Sequence, residues 1–390
     1  MATQKGVWNL QQVRDKQLQS LWTYSSTTGA LFSWGQGQNG VLGLNDKTQR
    51  SSPVQVGSGT DWENLGVDGR RYASGGGLKS DGTLWMWGRN SSGGLGQNNV
   101  TYYSSPVQIP GTTWDKFSVS IDKGASIKTD GTLWIWGTNN NGQLGLNSPE
   151  PSHRSSPTQI PGTTWKHISL GNSHVAATKT DGSLWAWGDN GDGALGHNQT
   201  DNLQLSSPTQ VPGTTWNYTW TSDDNVWATK TDGTLWGWGK NHMGQLAQND
   251  IVNRSSPIQI PGTNWTTESY QFGAGYYAGY AIKTDGTLWA WGYNVHGMLG
   301  QNESYAGKLG YSSPIQIPGT TWSVVGSGGV ATGAIKTDGT LWTLGYNVTA
   351  GQLGINDIFS RSSPIQIPGT WKTGDGALNV GWDCMQAIKM

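Results

Sequence analysis

Residues 281–292 read AIKTDGTLWAWG, and this stretch decides the fold. Two short runs flank Asp285-Gly286. An Asp-Gly step between such runs is a strong hairpin signal, because glycine accepts the positive φ that tight turns demand. In the second run Leu288 and Ala290 share one face while Trp289 and Trp291 share the other, since side chains alternate along a strand. With no helices alongside, both faces must be buried against neighbouring sheets. Sheets stacked radially as blades meet that demand.

The stretch recurs with a fixed step. Counterparts end at Gly35, Gly88, Gly137, Gly188, Gly239, Gly292 and Gly345, at spacings of 53, 49, 51, 51, 53 and 53 residues. Each copy runs into an Asn/Gly-rich segment that usually contains Leu-Gly, as at Leu144-Gly145. Ser-Ser-Pro follows, beginning at Ser51, Ser104, Ser155, Ser206, Ser255, Ser312 and Ser362. Proline suits an edge strand, because it offers the ladder no donor. A Pro-Gly turn then usually leads to a tryptophan, at 62, 114, 165, 216, 265, 322 and 371. The expectation is an all-β, seven-bladed propeller with the tryptophan pairs mostly between blades.

The ends of the chain predict a closed ring. Ala387-Ile388-Lys389 matches Ala281-Ile282-Lys283, and the Trp-rich strand due next is found at Gly29–Gly35. One composite blade, from residues of about 373–390 and 28–35, closes the circle and removes the exposed edges of an open stack. Leu21 to Ser26 also reads as a strand and competes with Ala387 to Met390 for one slot. Residues 1–20 fall outside the repeat. Leu10, Val13, Leu18 and Leu21 lie near one helical face, which predicts a short amphipathic N-terminal helix. The division is therefore a leader at 1–20 and a propeller at 21–390. With Trp8, those apolar residues are candidates for an attachment arm. A cap on the ring closure is the plainer role for the helix.

Composition narrows the function. Charged residues are 13% of the chain, with 24 basic and 25 acidic, 59 Gly and 24 Trp. No basic block supports binding to nucleic acid by phosphate neutralisation. Cys384 is the single cysteine, so neither an intrachain disulfide nor a thiolate cluster is available. No apolar stretch reaches membrane-spanning length, and the N-terminus lacks a signal-peptide core, so membrane insertion is not expected.

The segments Trp136-Gly137 through Gly145 (WGTNNNGQLG) and Ala177 to Gly188 (ATKTDGSLWAWG) resemble the regulator of chromosome condensation family, and the likeness extends over about residues 21–390. It implies a seven-bladed propeller with a binding role. The family includes a nucleotide exchange factor on chromatin and a secreted β-lactamase inhibitor; neither activity carries over residue by residue, and the copies here are unusually uniform. The leader, GVWNLQQVRDKQLQS at 6–20, resembles the start of structural proteins from marine and cyanobacterial bacteriophages.

Catalytic signals are sparse. His153, His167, His174, His197, His242 and His296 are scattered, with no paired ligand spacing. The aspartates at 81, 130, 181, 232, 285 and 338 are explained by the turns. Asp223-Asp224 are strand neighbours that point apart, a poor acid–base pair. No nucleophile elbow or phosphate loop is present, and no cofactor or metal is expected. Departures from the repeat are the better candidates for a binding surface: Tyr102, Tyr103, Tyr218, Trp220, Trp227, His242, Tyr270, Tyr276, Tyr277, His296 and, in the longest insertion, Tyr305. Amphipathic aromatics suit sugar faces and protein hot spots.

The leading expectation is a non-enzymatic virion structural protein of a bacteriophage, in tail, fibre or capsid surface. It would be made in the host cytoplasm, tethered to other virion proteins by the leader, and would present the ring to a host glycan or protein. The alternative is a cellular protein-interaction or inhibitory propeller. A polysaccharide-active enzyme is the third possibility.

Overall fold

A computed structural model describes residues 28–66, 74–147, 152–199, 203–266, 268–303 and 310–390. The expected helix and arm (Trp8, Leu10, Val13, Leu18, Leu21), the leader and the strand Leu21 to Ser26 lie outside the described residues, as does Tyr305. Within them, 28 strands form seven four-stranded antiparallel sheets, with short 3-10 turns but no α-helix. The third blade shows the plan: Trp165–Leu170, His174–Lys179, Leu184–Gly188 and Leu205–Val211 pair in that order. First strands of successive blades touch one another, so they line the axis and the Ser-Ser-Pro strands form the outer wall.

The ring closes through a composite blade. Ala30–Gly35 lies between Arg50–Gln55 and Cys384–Lys389, which in turn pairs with Leu378–Val380. Register runs from Ala30 opposite Lys389 to Gly35 opposite Cys384. The contested slot thus belongs to the C-terminal strand.

The hairpin in each blade is longer than a two-residue Asp-Gly turn. Gly131 N–H donates to Lys128 O and Lys128 N–H to Thr132 O, both at 2.9 Å, and only the glycine has positive φ (77°). This is a turn with a left-handed glycine at its end. The aspartate serves differently: Asp130 Oδ1 accepts Thr132 N–H at 3.0 Å and Thr132 Oγ1–H at 2.6 Å, and that Oγ1 accepts Trp134 Nε1–H at 2.9 Å. The same relay recurs at Asp81, Asp181, Asp232, Asp285 and Asp338. In each, the hydrogen bond from the Thr or Ser hydroxyl, then the one from its backbone N–H, holds the carboxyl below its ordinary pKa.

The two tryptophans of each pair have different roles. The first, such as Trp134 or Trp185, is only half-buried, because it sits at the outer edge of the interface, tied to the relay. The second is fully buried, and its indole N–H donates to a backbone carbonyl in the preceding blade's Asn/Gly loop. Trp34, Trp87, Trp136, Trp187, Trp238 and Trp291 all do so, at 2.8–3.0 Å. A second clasp uses the Asn after Leu-Gly. Asn45, Asn98, Asn147, Asn198, Asn249, Asn302 and Asn356 are left-handed, and each donates its N–H to the first Ser-Ser-Pro carbonyl of the next blade at 2.6–2.8 Å. Asparagine tolerates that conformation better than most residues. Seven apolar clusters fill the seven interfaces.

Candidate interaction surface

Antiparallel blades sort their connections to opposite ends of the ring. One end carries the Asp-Gly and Pro-Gly turns. The other carries the Asn/Gly loops and the turns joining the first two strands of each blade. The aromatic departures do not form one sided patch. Tyr102, Tyr103, His242, Tyr276, Tyr277 and His296 lie at the loop end, whereas Tyr218 and Tyr270 lie at the turn end near the axis.

Trp220 and Trp227 are not surface residues at all, at 2% and 0% exposed. Both pack on Phe272, with ring centroids 4.7 and 5.6 Å away, and Trp220 Nε1–H donates to Ser269 O at 3.0 Å. Trp227 lies opposite Gly237, the one glycine at that position of the Trp-rich strands, and fills the room it leaves. This departure is a size exchange inside the core.

At the loop end, close to the axis, an aromatic cluster joins three blades. His242 meets Tyr277 at 5.6 Å, Tyr277 meets Tyr276 at 4.1 Å and Tyr293 at 5.6 Å, and Tyr276 meets Trp382 at 4.9 Å. Burial, and then the Lys240 charge, lowers the His242 pKa, and burial raises that of Tyr276. Lys240 pairs with Asp224 at 2.9 Å and with Asp192 at 3.6 Å, so Asp224 is held as a counter-ion. His296 packs on Tyr346 at 4.3 Å. Sequence reasoning did not single out Tyr293 or Trp382, which fall outside the Tyr-rich run.

The rim of this end holds a device that was also missed. Three loops read Asn-Asp-x-x-x-Arg just before Ser-Ser-Pro. Asp46, Asp250 and Asp357 accept the N–H two residues on at 2.9–3.0 Å and pair with Arg50, Arg254 and Arg361 at 2.5–2.6 Å. Each clip fixes the loop from within and turns the enclosed residues outward. Ile251 is 65% exposed, Val252 57%, Ile358 51% and Phe359 68%. In the first blade Asn99 takes the aspartate's place: its Oδ1 accepts Thr101 N–H at 2.9 Å and its amide donates to Tyr103 Oη at 3.1 Å. Tyr103 therefore supports the loop, while Val100 and Tyr102 are displayed. Among the described residues, every strongly exposed large apolar side chain except Met390 belongs to a loop of this end.

At the turn end, polar contacts gather on Asp375. Asp375 accepts from Asn64 at 3.1 Å, Lys116 at 3.0 Å and Ser269 at 3.1 Å, reaching three other blades across the axis. A recess of about 580 Å³ lies beside it, with Glu63, Tyr270 and Lys372 in its wall. Tyr218 stacks edge-on with His167 at 5.2 Å. Among the described residues no three His, Cys, Asp or Glu side chains gather as a metal site, and no helix is long and apolar enough to cross a membrane.

Comparison with known proteins agrees with this architecture. The chain is 29% identical over 341 residues to the ultraviolet-B receptor UVR8 of Arabidopsis thaliana, covering 86% of this chain and 65% of that protein. It thus spans just under two thirds of that relative. It is 26% identical to the mitochondrial RCC1 domain-containing protein RUG3 of the same plant, over 86% of this chain and 82% of that protein. Prp20p of Saccharomyces cerevisiae, described with its binding properties to Gsp1p and histones, superposes with a TM-score of 0.80 at 18% identity, over 94% of this chain and 93% of that one. Human WBSCR16 superposes at 0.79 with 20% identity, over 93% of this chain and 100% of that one. The family model described as the RCC1-like domain matches residues 30–387, and the chain belongs to that family of seven-bladed propellers.

Proposed function

We propose that this chain is a non-catalytic binding propeller whose loop end engages a protein partner. The observation that carries this is the set of clipped loops displaying Ile251, Val252, Ile358 and Phe359 to solvent. An exposed, rigidly held apolar pair loses little conformational freedom on binding and offers apolar area for a partner to bury. The relatives support a binding role: one is a receptor, and Prp20p is described by what it binds. Catalysis lacks a comparable basis. The turn aspartates are spent as acceptors on separate blades, and Asp224 is spent on Lys240.

A virion position, with residues 1–20 as the attachment arm, is the second reading. Its support is the leader alone, and the comparisons add none, so the cellular interaction role stands first. The quadruple variant Ile251→Ser/Val252→Ser/Ile358→Ser/Phe359→Ser tests the loop end. The expected outcome is loss of the partner captured by the native chain, with thermal stability unchanged. Equal capture by both proteins would overturn the assignment.

A further inference from the structure

The outer wall of the ring repeats a second kind of feature, independent of the loop end. Between the second and third blades Trp165 and Trp185 stand 6.3 Å apart at 71°, and Lys179 Nζ sits 4.6 and 4.2 Å from their ring centroids. Asn147, Gln159 and Pro208 complete a cleft of about 440 Å³. Between the first and second blades Trp114, Trp134, Lys128, Asn98 and Pro110 build its counterpart, of about 340 Å³. There Lys128 Nζ lies 4.7 and 4.4 Å from the rings. Both volumes fall in the range of small-ligand sites, about 300–1,000 Å³.

We infer that these inter-blade clefts are saccharide sites, each taking one carboxylate-bearing pyranose of an acidic polysaccharide. Trp134 and Trp185, half-buried in front of the buried Trp114 and Trp165, offer a flat apolar partner for the C–H face of a pyranose. Amide side chains such as Asn147 and Gln159 supply both donors and acceptors for hydroxyl groups. The ammonium adds the charge. Lys79, at the corresponding place of the first blade, is ion-paired with Asp61 at 3.2 Å, whereas Lys128 and Lys179 feel the turn carboxylates of Asp130 and Asp181 but, among the described residues, form no direct salt bridge. An ammonium held over two indoles and beside amides fits a carboxylate on the sugar. A peptide is the poorer fit. Pro157 and Pro208 interrupt the outer strands, so an added strand finds no donor there. The two clefts are also separate, at successive interfaces, which suits a repeating polymer bound at more than one point.

The test titrates the full chain with an oligogalacturonate, a neutral oligogalactan and an oligoglutamate of matched length. Tryptophan fluorescence reports occupancy and calorimetry the stoichiometry. The expected result is binding of the uronate alone, at more than one site per chain, weakened at least about tenfold in Lys128→Gln/Lys179→Gln. Trp134→Ala/Trp185→Ala should weaken it further, and if that variant fails to fold the lysine variant still decides. The inference is overturned by no uronate binding, by equal binding of the neutral or peptidic oligomer, or by a lysine variant that binds like the native chain.

Discussion

His167 shows how much a single residue of the axis can report. It lies on the innermost strand of the third blade, 9% exposed, edge-on to Tyr218. Burial holds its imidazole down to about 4, against its ordinary 6.5; the Asp375 charge opposes this, and the Lys116 and Lys166 charges reinforce it. The folded chain therefore keeps His167 neutral while the unfolded chain protonates it. Its contribution to stability is fully present above pH 6.5 and is lost progressively as pH falls toward 4. The loss is on the order of 3 kcal/mol. Denaturant unfolding across that window should show the native chain losing stability relative to His167→Gln. Parallel pH curves for the two proteins would remove His167 as the cause.

At the level of strands and loops, the clasps between blades explain most of the repeat. The second tryptophan, the Leu-Gly-x-Asn step and Ser-Ser-Pro all recur because each meets the neighbouring blade. The sixth blade has Leu344 where the others carry that tryptophan, so the Met298 carbonyl loses its usual donor. Tyr280 supplies one: its Oη–H donates to Met298 O at 2.9 Å from a fully buried position. Leu344 and Tyr280 are thus two halves of one exchange. Tyr280→Ala alone should cost about 3–5 kcal/mol by leaving a void and an unpaired carbonyl. Leu344→Trp alone should cost about 1–3 kcal/mol by overpacking. The double variant rebuilds the arrangement of the other interfaces and should recover most of the loss in a double-mutant cycle; additive losses would refute the exchange. Here also lies the limit of what the sequence disclosed. Strand positions, repeat phase and the interblade place of the tryptophan pairs were legible, because alternation and spacing are local, but not that only the second of each pair is fully buried. That Tyr280 answers Leu344, or that Trp227 fills the space over Gly237, was not, because those partners lie on different strands. The Asn-Asp-x-x-x-Arg clips were written in three loops, but a salt bridge inside a loop has no periodicity to betray it.

For the whole molecule, closure is the feature the sequence foretold best and the one most open to rearrangement. Lys389-Met390 and Thr28-Gly29-Ala30 align with the Lys-Thr-Asp-Gly-Thr hairpin of the other blades with no residue missing. Gly29 already approaches the strand Cys384–Lys389 so closely that a Cβ there would stand 2.3 Å from Lys389 O. The break in the composite blade is then a hairpin left unjoined, and it should be equivalent to a break in any other blade. A chain that begins at Gly339, joins Met390 directly to Thr28 and ends at Asp338 moves the opening to the sixth blade without disturbing a strand pair. With Met390→Thr and Thr28→Asp supplying the turn, it should fold and melt within about 5 °C of residues 28–390 in their native order. Deleting residues 384–390 is the opposing case. It removes the pairing that closes the ring and the fully buried Met385, Ala387 and Ile388. Apolar burial alone is worth several kcal/mol there, about 1.5–3 kcal/mol for each large side chain, and the cut also exposes the edge of Ala30–Gly35. That chain should lose its single cooperative transition. A permutant that fails to fold, or a truncated chain that melts like its parent, would show that the blades are not held in a circle by equivalent interfaces.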